Sequence, residues 1–164
     1  YTIDTALQRV EFGQFTPFSF NDAEGTPEGG ALLFVTRGAG QAFTGNYYMR
    51  DTAAEADLTP DGPACLLLRG QGCRRYYELG FSGGDRVSIA RWEDGTRTEL
   101  ASAVCARRPC RLRAEARGDA LTLSVDGTPV LSARDGRYAF GMAGVCHPSA
   151  GASRWTNFRI RADV

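Results

Sequence analysis

Leucine or valine alternates strictly with polar residues along residues 121–126. A period of two is typical of a β-strand that buries one face and exposes the other. The alternation ends at Asp126-Gly127, a pair that readily adopts the positive φ angles of a two-residue hairpin turn. The pattern therefore predicts a β-hairpin that continues into residues 128–131.

A second alternating run divides its residues between two faces. Tyr77, Leu79 and Phe81 fall on one face, while Tyr76 and Glu78 fall on the other. The more apolar of the two faces is predicted to point into the core of the protein.

Other segments are less regular. Residues 31–36 form a short apolar run that predicts a buried strand, and residues 43–50 predict another strand. Residues 51–57 have a helix-friendly composition before a Thr-Pro-Asp-Gly turn signal, and we expect at most one helical turn there. The phenylalanine-rich residues 12–20 suggest one or two strands.

The whole pattern indicates an all-β protein. Twenty glycines and seven prolines are scattered along the 164 residues as turn punctuation between ten or more short strands. This organisation predicts a two-sheet antiparallel β-sandwich. The length suits one domain with a substantial core, so we expect residues 1–164 to form a single domain.

The charge balance narrows the range of partners. The chain has 19 basic residues, all of them arginine, and 19 acidic residues, so its net charge is zero. No overall positive field favours nucleic acid, and no apolar run is long enough for direct membrane insertion. Because the chain begins at Tyr1 rather than at methionine, we expect a processed, secreted or extracellular protein.

Five cysteines are many for this length, and they lack the spacing of a metal site. Cys105 and Cys110 flank a short loop and are expected to form a disulfide. Cys65, Cys73 and Cys146 then compete for a second bond, for which we name Cys73 and Cys146. The remaining thiol is either buried or free to pair with another chain.

Aromatic side chains on an exposed sheet face are the natural partners of sugar rings. Trp92 and Tyr76 are the best candidates for exposure, because their neighbours Ile89 and Tyr77 are predicted to point inward. Tyr48 is a further candidate ligand-binding residue.

Residues 111–117 alternate apolar and charged positions, so they predict a strand with one charged face. Arg111 and Arg113, together with Arg117 and the intervening Glu115, form a ladder along that face. It could bind an anionic glycan or a carboxylate-rich partner, although most such faces are only solvated.

The order of the segments resembles the jelly-roll domains of the concanavalin A-like, laminin-G-like family. The resemblance covers roughly the last three-fifths of the chain. The segments that carry it are Leu-Leu-Leu-Arg69, Tyr76-Tyr-Glu-Leu-Gly-Phe81, Val87-Ser-Ile-Ala-Arg-Trp-Glu-Asp-Gly95, Arg111-Leu-Arg-Ala-Glu-Ala-Arg-Gly118, the 121–131 hairpin and Trp155-Thr-Asn-Phe158.

The resemblance implies a jelly-roll fold, and jelly rolls often hold structural calcium through loop carboxylates. The metal candidates here are Asp22, Asp51 and Asp57, with Glu24, Asp61 and Asp135 as further carboxylates. At position 156 the family pattern has an acidic residue and this chain has threonine, so any role of that carboxylate is lost or moved.

No catalytic apparatus is recognisable. The Glu-x-Asp-x-x-Glu run of related glucanases is missing, and His147, the only histidine, lies in a segment expected to be a surface loop.

Three functions remain in view. The first is a non-catalytic extracellular recognition domain that binds glycan or a cell-surface protein. The second is a structural or assembly module that associates with copies of itself, and the third is a glycan-active hydrolase or lyase.

Overall fold

A computed structural model describes residues 2–4, 19–28 and 31–163. The regular elements of these ranges are all β-strands, numbered here in chain order. Their bounds are β1 Thr2–Asp4, β2 Ser19–Asn21, β3 Glu24–Glu28, β4 Ala31–Thr36, β5 Gly40–Thr44, β6 Thr52–Asp61, β7 Ala64–Gly70, β8 Arg75–Gly83, β9 Arg86–Glu93, β10 Thr96–Val104, β11 Cys110–Arg117, β12 Ala120–Val125, β13 Thr128–Arg134, β14 Met142–His147 and β15 Gly151–Ala162. Within these ranges there is no helix long and apolar enough to cross a membrane.

The strands form two antiparallel sheets that pack face to face. One sheet has eight strands in the order β13-β12-β11-β6-β15-β4-β3, with β1 also paired to β15. The other has seven strands in the order β10-β9-β8-β7-β14-β5-β2. The predicted all-β, two-sheet antiparallel sandwich is confirmed.

The predicted hairpin is also confirmed. It joins β12 to β13, and Asp126 and Gly127 adopt φ angles of 50° and 82°. Leu121 and Leu123 are fully buried, while Thr122 between them is half-buried on the opposite face. Local alternation and turn chemistry are therefore sufficient to define this element.

Two local predictions are wrong. Residues 51–57 are not helical, because they belong largely to β6, whose buried and half-exposed positions alternate. β6 pairs with β11 on one side and with β15 on the other, and those hydrogen bonds outweigh the helix preference of its alanines. The strand expected over residues 43–50 ends at Thr44 and gives way to a loop. Residues 12–18 lie outside the described ranges.

The core fills the space between the two sheets. Tyr77, Leu79 and Phe81 of β8 point into it, as predicted. They meet side chains of the eight-stranded sheet such as Leu112 and Trp155. A second, smaller apolar cluster lies on the opposite face of the seven-stranded sheet, and its buried members are Phe43, Cys65, Leu67, Tyr76 and Cys146.

All five cysteines are free thiols, so neither predicted disulfide is present in the structure. Cys146 lies opposite Cys65 in the register of β14 and β7. Cys73 lies in the turn after β7. The part of β7 that follows Cys65 alone spans roughly 17 Å at about 3.3 Å per residue, whereas a disulfide needs Cα atoms within about 7 Å. The choice of Cys73 as the partner of Cys146 is therefore wrong. Burial raises the pKa of Cys110, on the other side of the molecule, to about 11.

Candidate functional site

The outward face of the seven-stranded sheet carries a polar network around Glu78. This carboxylate is fully buried, accepts a hydrogen bond from Trp92 Nε1 at 2.8 Å and pairs with Arg97 at 3.1 Å. Arg97 also donates to Ser88 Oγ at 2.8 Å. Burial raises the pKa of Glu78, and the charge of Arg97 and the bonds from Trp92 and Arg97 offset part of that rise.

Tyr76 lies beside this network and is only 1% exposed, so the prediction that it is exposed is wrong. Its ring is packed against Phe43 and Trp92, and its hydroxyl accepts a hydrogen bond from Gln41 Nε2 at 3.0 Å. Alternation correctly gives the outward direction of Tyr76. It does not reveal that side chains from neighbouring strands surround the ring.

Trp92 is partly exposed. Its ring stacks on that of Tyr76 with a centroid separation of 6.0 Å, and its only hydrogen-bond donor is already used by Glu78. A ligand could therefore contact only the remaining ring surface of Trp92. Its role in ligand binding stays a prediction.

A group of two exposed aromatic rings and one half-buried ring lies at one end of the sandwich. Tyr47 and Tyr48 come from the loop between β5 and β6, and Phe140 comes from the loop between β13 and β14. Each pair of these rings has centroids 5.5 to 6.4 Å apart. Tyr48 is 66% exposed and Tyr47 is 42% exposed. We call Tyr47, Tyr48 and Phe140 the aromatic platform.

Hydrogen bonds hold both loops of the aromatic platform. The Tyr48 amide donates to Asn46 Oδ1 at 2.7 Å, and the Gly141 amide donates to the carbonyl of the buried Met49 at 2.9 Å. Gln71, in the turn between β7 and β8, donates to the Phe140 carbonyl at 2.8 Å. The two loops are thus joined to each other and to the turn between β7 and β8 before any ligand arrives.

The charged ladder predicted on β11 lies on the outward face of the eight-stranded sheet. Arg111 pairs with Glu55 at 3.4 Å and with Asp57 at 3.0 Å, and Arg113 pairs with Glu115 at 3.0 Å. Partial burial raises the pKa of Asp57, but hydrogen bonds from Asn157 and Arg111 outweigh it and hold the pKa below its usual value. The predicted direction of Arg111 and Arg113 is confirmed.

His147 is fully buried at the end of β14, so the expectation of a surface loop is wrong at this residue. Its Nδ1 lies 3.0 Å from Thr36 Oγ1, and its Nε2 lies 2.7 Å from Ser153 Oγ. Thr36 also donates to the Ser149 carbonyl and Ser153 also accepts from Trp155 Nε1, so the ring belongs to a buried hydrogen-bond network. Ser153 and His147 resemble a nucleophile and its base, but because both are buried, their role is structural.

The metal candidates do not come together. Asp51 accepts a hydrogen bond from the Gly118 amide, Asp57 is paired with Arg111, and Asp22 lies in the separate turn between β2 and β3. Asp135, a further candidate, is bound by Arg91 and Tyr77. Across the described part of the chain, no group of three or more potential metal ligands forms. The candidate carboxylates are therefore not gathered into one metal site within the described ranges, and structural calcium stays a prediction.

Several features of the site were not found from the sequence. Phe140 joins Tyr48 from a distant part of the chain, and Glu78 is paired with Arg97 rather than left on an exposed face. Arg159 and Arg161 extend the charged face from β15. The alternation along residues 158–162, with Phe158, Ile160 and Ala162 buried, was the signal that could have placed both arginines on that face.

The fold of this chain is similar to those of several solved structures. No protein-family model matches the chain, and no curated protein matches it. Carbohydrate-binding module CBM66 from Bacillus subtilis is similar in structure, with a TM-score of 0.78 and 17% identity, covering 86% of this chain and 92% of the module.

Two further solved structures share the fold. The exoplasmic/lumenal domain of VIP36, in its Ca²⁺/Man-bound form, has a TM-score of 0.67 and 12% identity, covering 99% of this chain and 90% of that domain. A protein described as a native glycosidic hydrolase has a TM-score of 0.68 and 10% identity, covering 98% of this chain and 94% of the other.

These likenesses define the class of fold. The chain is a jelly-roll β-sandwich of the kind found in carbohydrate-binding modules and lectin domains. The sequence resemblance to concanavalin A-like jelly rolls is thus confirmed for the fold.

Proposed function

We propose that this protein is a non-catalytic carbohydrate-binding domain that works outside the cell and holds a sugar on the aromatic platform. The observation that carries the proposal is the contact of the exposed rings of Tyr47 and Tyr48 with one another and with the half-buried ring of Phe140. Carbohydrate-binding neighbours of the same fold support it, and the VIP36 domain is described as exoplasmic/lumenal.

The chemistry of the platform suits a neutral sugar. A pyranose or furanose ring presents C–H groups on one face, which pack against an aromatic ring, and hydroxyls at its edge. Tyr47 and Tyr48 supply both the ring and a phenol group that can donate or accept a hydrogen bond. Because the two loops are already bound to the sandwich, little conformational entropy is lost when a ligand binds.

The Glu78 network supports a non-catalytic role. A retaining glycosidase needs two accessible carboxyl groups about 5 Å apart, and Glu78 is fully buried and bound by Arg97 and Trp92. Its hydrogen bonds join β8 to β9 and β10 rather than presenting a reactive oxygen.

Replacing Tyr48 with alanine tests the proposal. We expect Tyr48→Ala to weaken binding by about tenfold, since stacking on one ring contributes about 1 kcal/mol or somewhat more. The measurement is a glycan array that selects a neutral ligand, followed by calorimetric titration of that ligand. Tyr48→Phe separates stacking from hydrogen bonding, because it keeps the ring and removes only the hydroxyl.

The matched control is Val104→Ala, which removes an apolar side chain that is 80% exposed at the far end of β10. This variant should bind as the wild type does. A wild-type protein that captures no neutral glycan, or a Tyr48→Ala variant that binds as tightly as Val104→Ala, would contradict the proposal.

A further inference from the structure

The outward face of the eight-stranded sheet contains a depression that the proposed function does not use. β11, β6 and β15 run side by side there, and their register places Ala53 between Glu115 and Arg161. In the next row, Glu55 lies between Arg113 and Arg159.

The small side chain of Ala53 leaves room on this face. A depression of about 100 Å³ is lined by Ala53, Glu55, Arg113, Arg159 and Arg161. We call it the arginine depression. A second depression of about 250 Å³ shares Ala53, Arg113 and Arg161 with it, so the two form one continuous groove.

The side chains that line the arginine depression are mostly basic, since three of the five are arginines and one is a carboxylate. Its one carboxylate, Glu55, is already paired with a fourth arginine, Arg111, at 3.4 Å. Glu115 Oε2 is shared between Arg113 at 3.0 Å and Arg117 at 3.7 Å, so one negative charge faces two positive ones. Among the described side chains, no carboxylate lies within ion-pair distance of Arg161.

The spacing of the arginines fits a small oxyanion. Arg113 and Arg161 flank β6 with an offset of two residues, and adjacent strands are about 4.8 Å apart, so their backbones are separated by about 12 Å. Two arginine side chains can reach across that gap to one group, and each presents a planar fork of N–H donors. The far end of the groove is lined by Asp51 and Asp163, which repel an anion and favour the arginine end.

We propose that the arginine depression binds an oxyanion, either a sulfate ester or a carboxylate, carried on a polysaccharide. Only the polysaccharide nature of the carrier rests on the proposed function. The anion site depends on different residues, which lie on the outward face of the eight-stranded sheet. The protein would then have two sites, one for the ring of a neutral sugar and one for a charged substituent.

The test uses calorimetric titration of the whole chain with three probes: a dextran sulfate oligosaccharide, an oligogalacturonate and unmodified dextran. We expect at least one charged probe to bind, and we expect Arg161→Gln to weaken that binding by about tenfold, as loss of a charged hydrogen bond does. The double variant Arg113→Gln/Arg161→Gln should weaken it further. The binding constant should fall as salt is raised.

The matched control is Arg154→Gln, which removes the same charge from the same exposed face of β15 outside the arginine depression. It should change the affinity by less than about twofold. If it weakens binding as much as Arg161→Gln, the attraction is diffuse and the proposal is overturned. Failure of both charged probes to bind the wild type also overturns it.

Two further comparisons complete the design. The charged probe that loses affinity in Arg161→Gln identifies sulfate or carboxylate as the group bound. Tyr48→Ala should leave this binding unchanged, so failure of the aromatic platform and failure of the arginine depression give different results.

Discussion

Replacing Arg69 with methionine should lower the free energy of unfolding by about 3 to 5 kcal/mol, because three carbonyls, one of them buried and two partly buried, lose the donor that joins them. Arg69 is 2% exposed at the end of β7. It donates to the carbonyls of Arg50 at 3.2 Å, Gly118 at 2.5 Å and Tyr138 at 3.1 Å, and it pairs with Asp51 at 3.5 Å. One guanidinium thus joins three connections at the end of the sandwich that carries the aromatic platform.

Urea unfolding followed by circular dichroism measures the effect. The control is Arg134→Met, which removes an exposed arginine paired with Asp119 at 2.6 Å and should cost less than about 1 kcal/mol. Arg69→Lys should also be strongly destabilising, because an ammonium group cannot reproduce the planar fork of donors. Equal losses in Arg69→Met and Arg134→Met would show that Arg69 is not a structural clamp.

Acid should destabilise the protein through His147. Burial lowers the pKa of this side chain to about 4 in the folded protein, although a hydrogen bond with the Gly151 backbone opposes the shift. The unfolded chain binds the proton near pH 6.5, so it gains protons before the folded protein does. Stability is therefore complete above pH 6.5 and falls as the pH drops towards 4, by about 3 kcal/mol from this group.

Other groups titrate in the same range, so the measurement is a difference between two proteins. The pKa of Glu78 is raised, which acts in the opposite direction, and this contribution cancels when wild type and His147→Gln are compared at pH 7.5 and pH 4.5. The wild type should lose about 2.5 kcal/mol more than the variant over that interval. An NMR titration that finds the His147 ring protonating near pH 6.5 would contradict the prediction.

The parts of the fold that could be predicted from sequence are those that depend on local periodicity. The β12–β13 hairpin combines strict alternation with Asp126-Gly127, and both are read within a few residues of one another. The inward face of β8 follows from the same rule. β6 was not predicted, because its alanines favour a helix locally and its partners β11 and β15 lie far away in the sequence.

The candidate site could be predicted only in part, for a similar reason. Alternation gives the direction of a side chain but not what covers it, so Arg111 and Arg113 were placed correctly while Tyr76 was expected to be exposed. The aromatic platform requires two loops to meet, and no local pattern connects Tyr48 with Phe140. Pairing across the sheets decides these contacts.

The places of β14 and β15 in the two sheets have a consequence for the order in which the protein folds. β14 lies between β7 and β5, and β15 lies between β6 and β4, so each sheet keeps a gap in its interior until these strands are added. A ribosome makes both strands after every other strand described here. Neither sheet can close during synthesis of the earlier residues. Until β14 and β15 are made, β5, β6 and β7 lack a neighbouring strand and their apolar faces stay exposed. Folding should therefore be slow and should be completed only after residues 142–162 have left the ribosome, with its greatest exposure to aggregation just before that point.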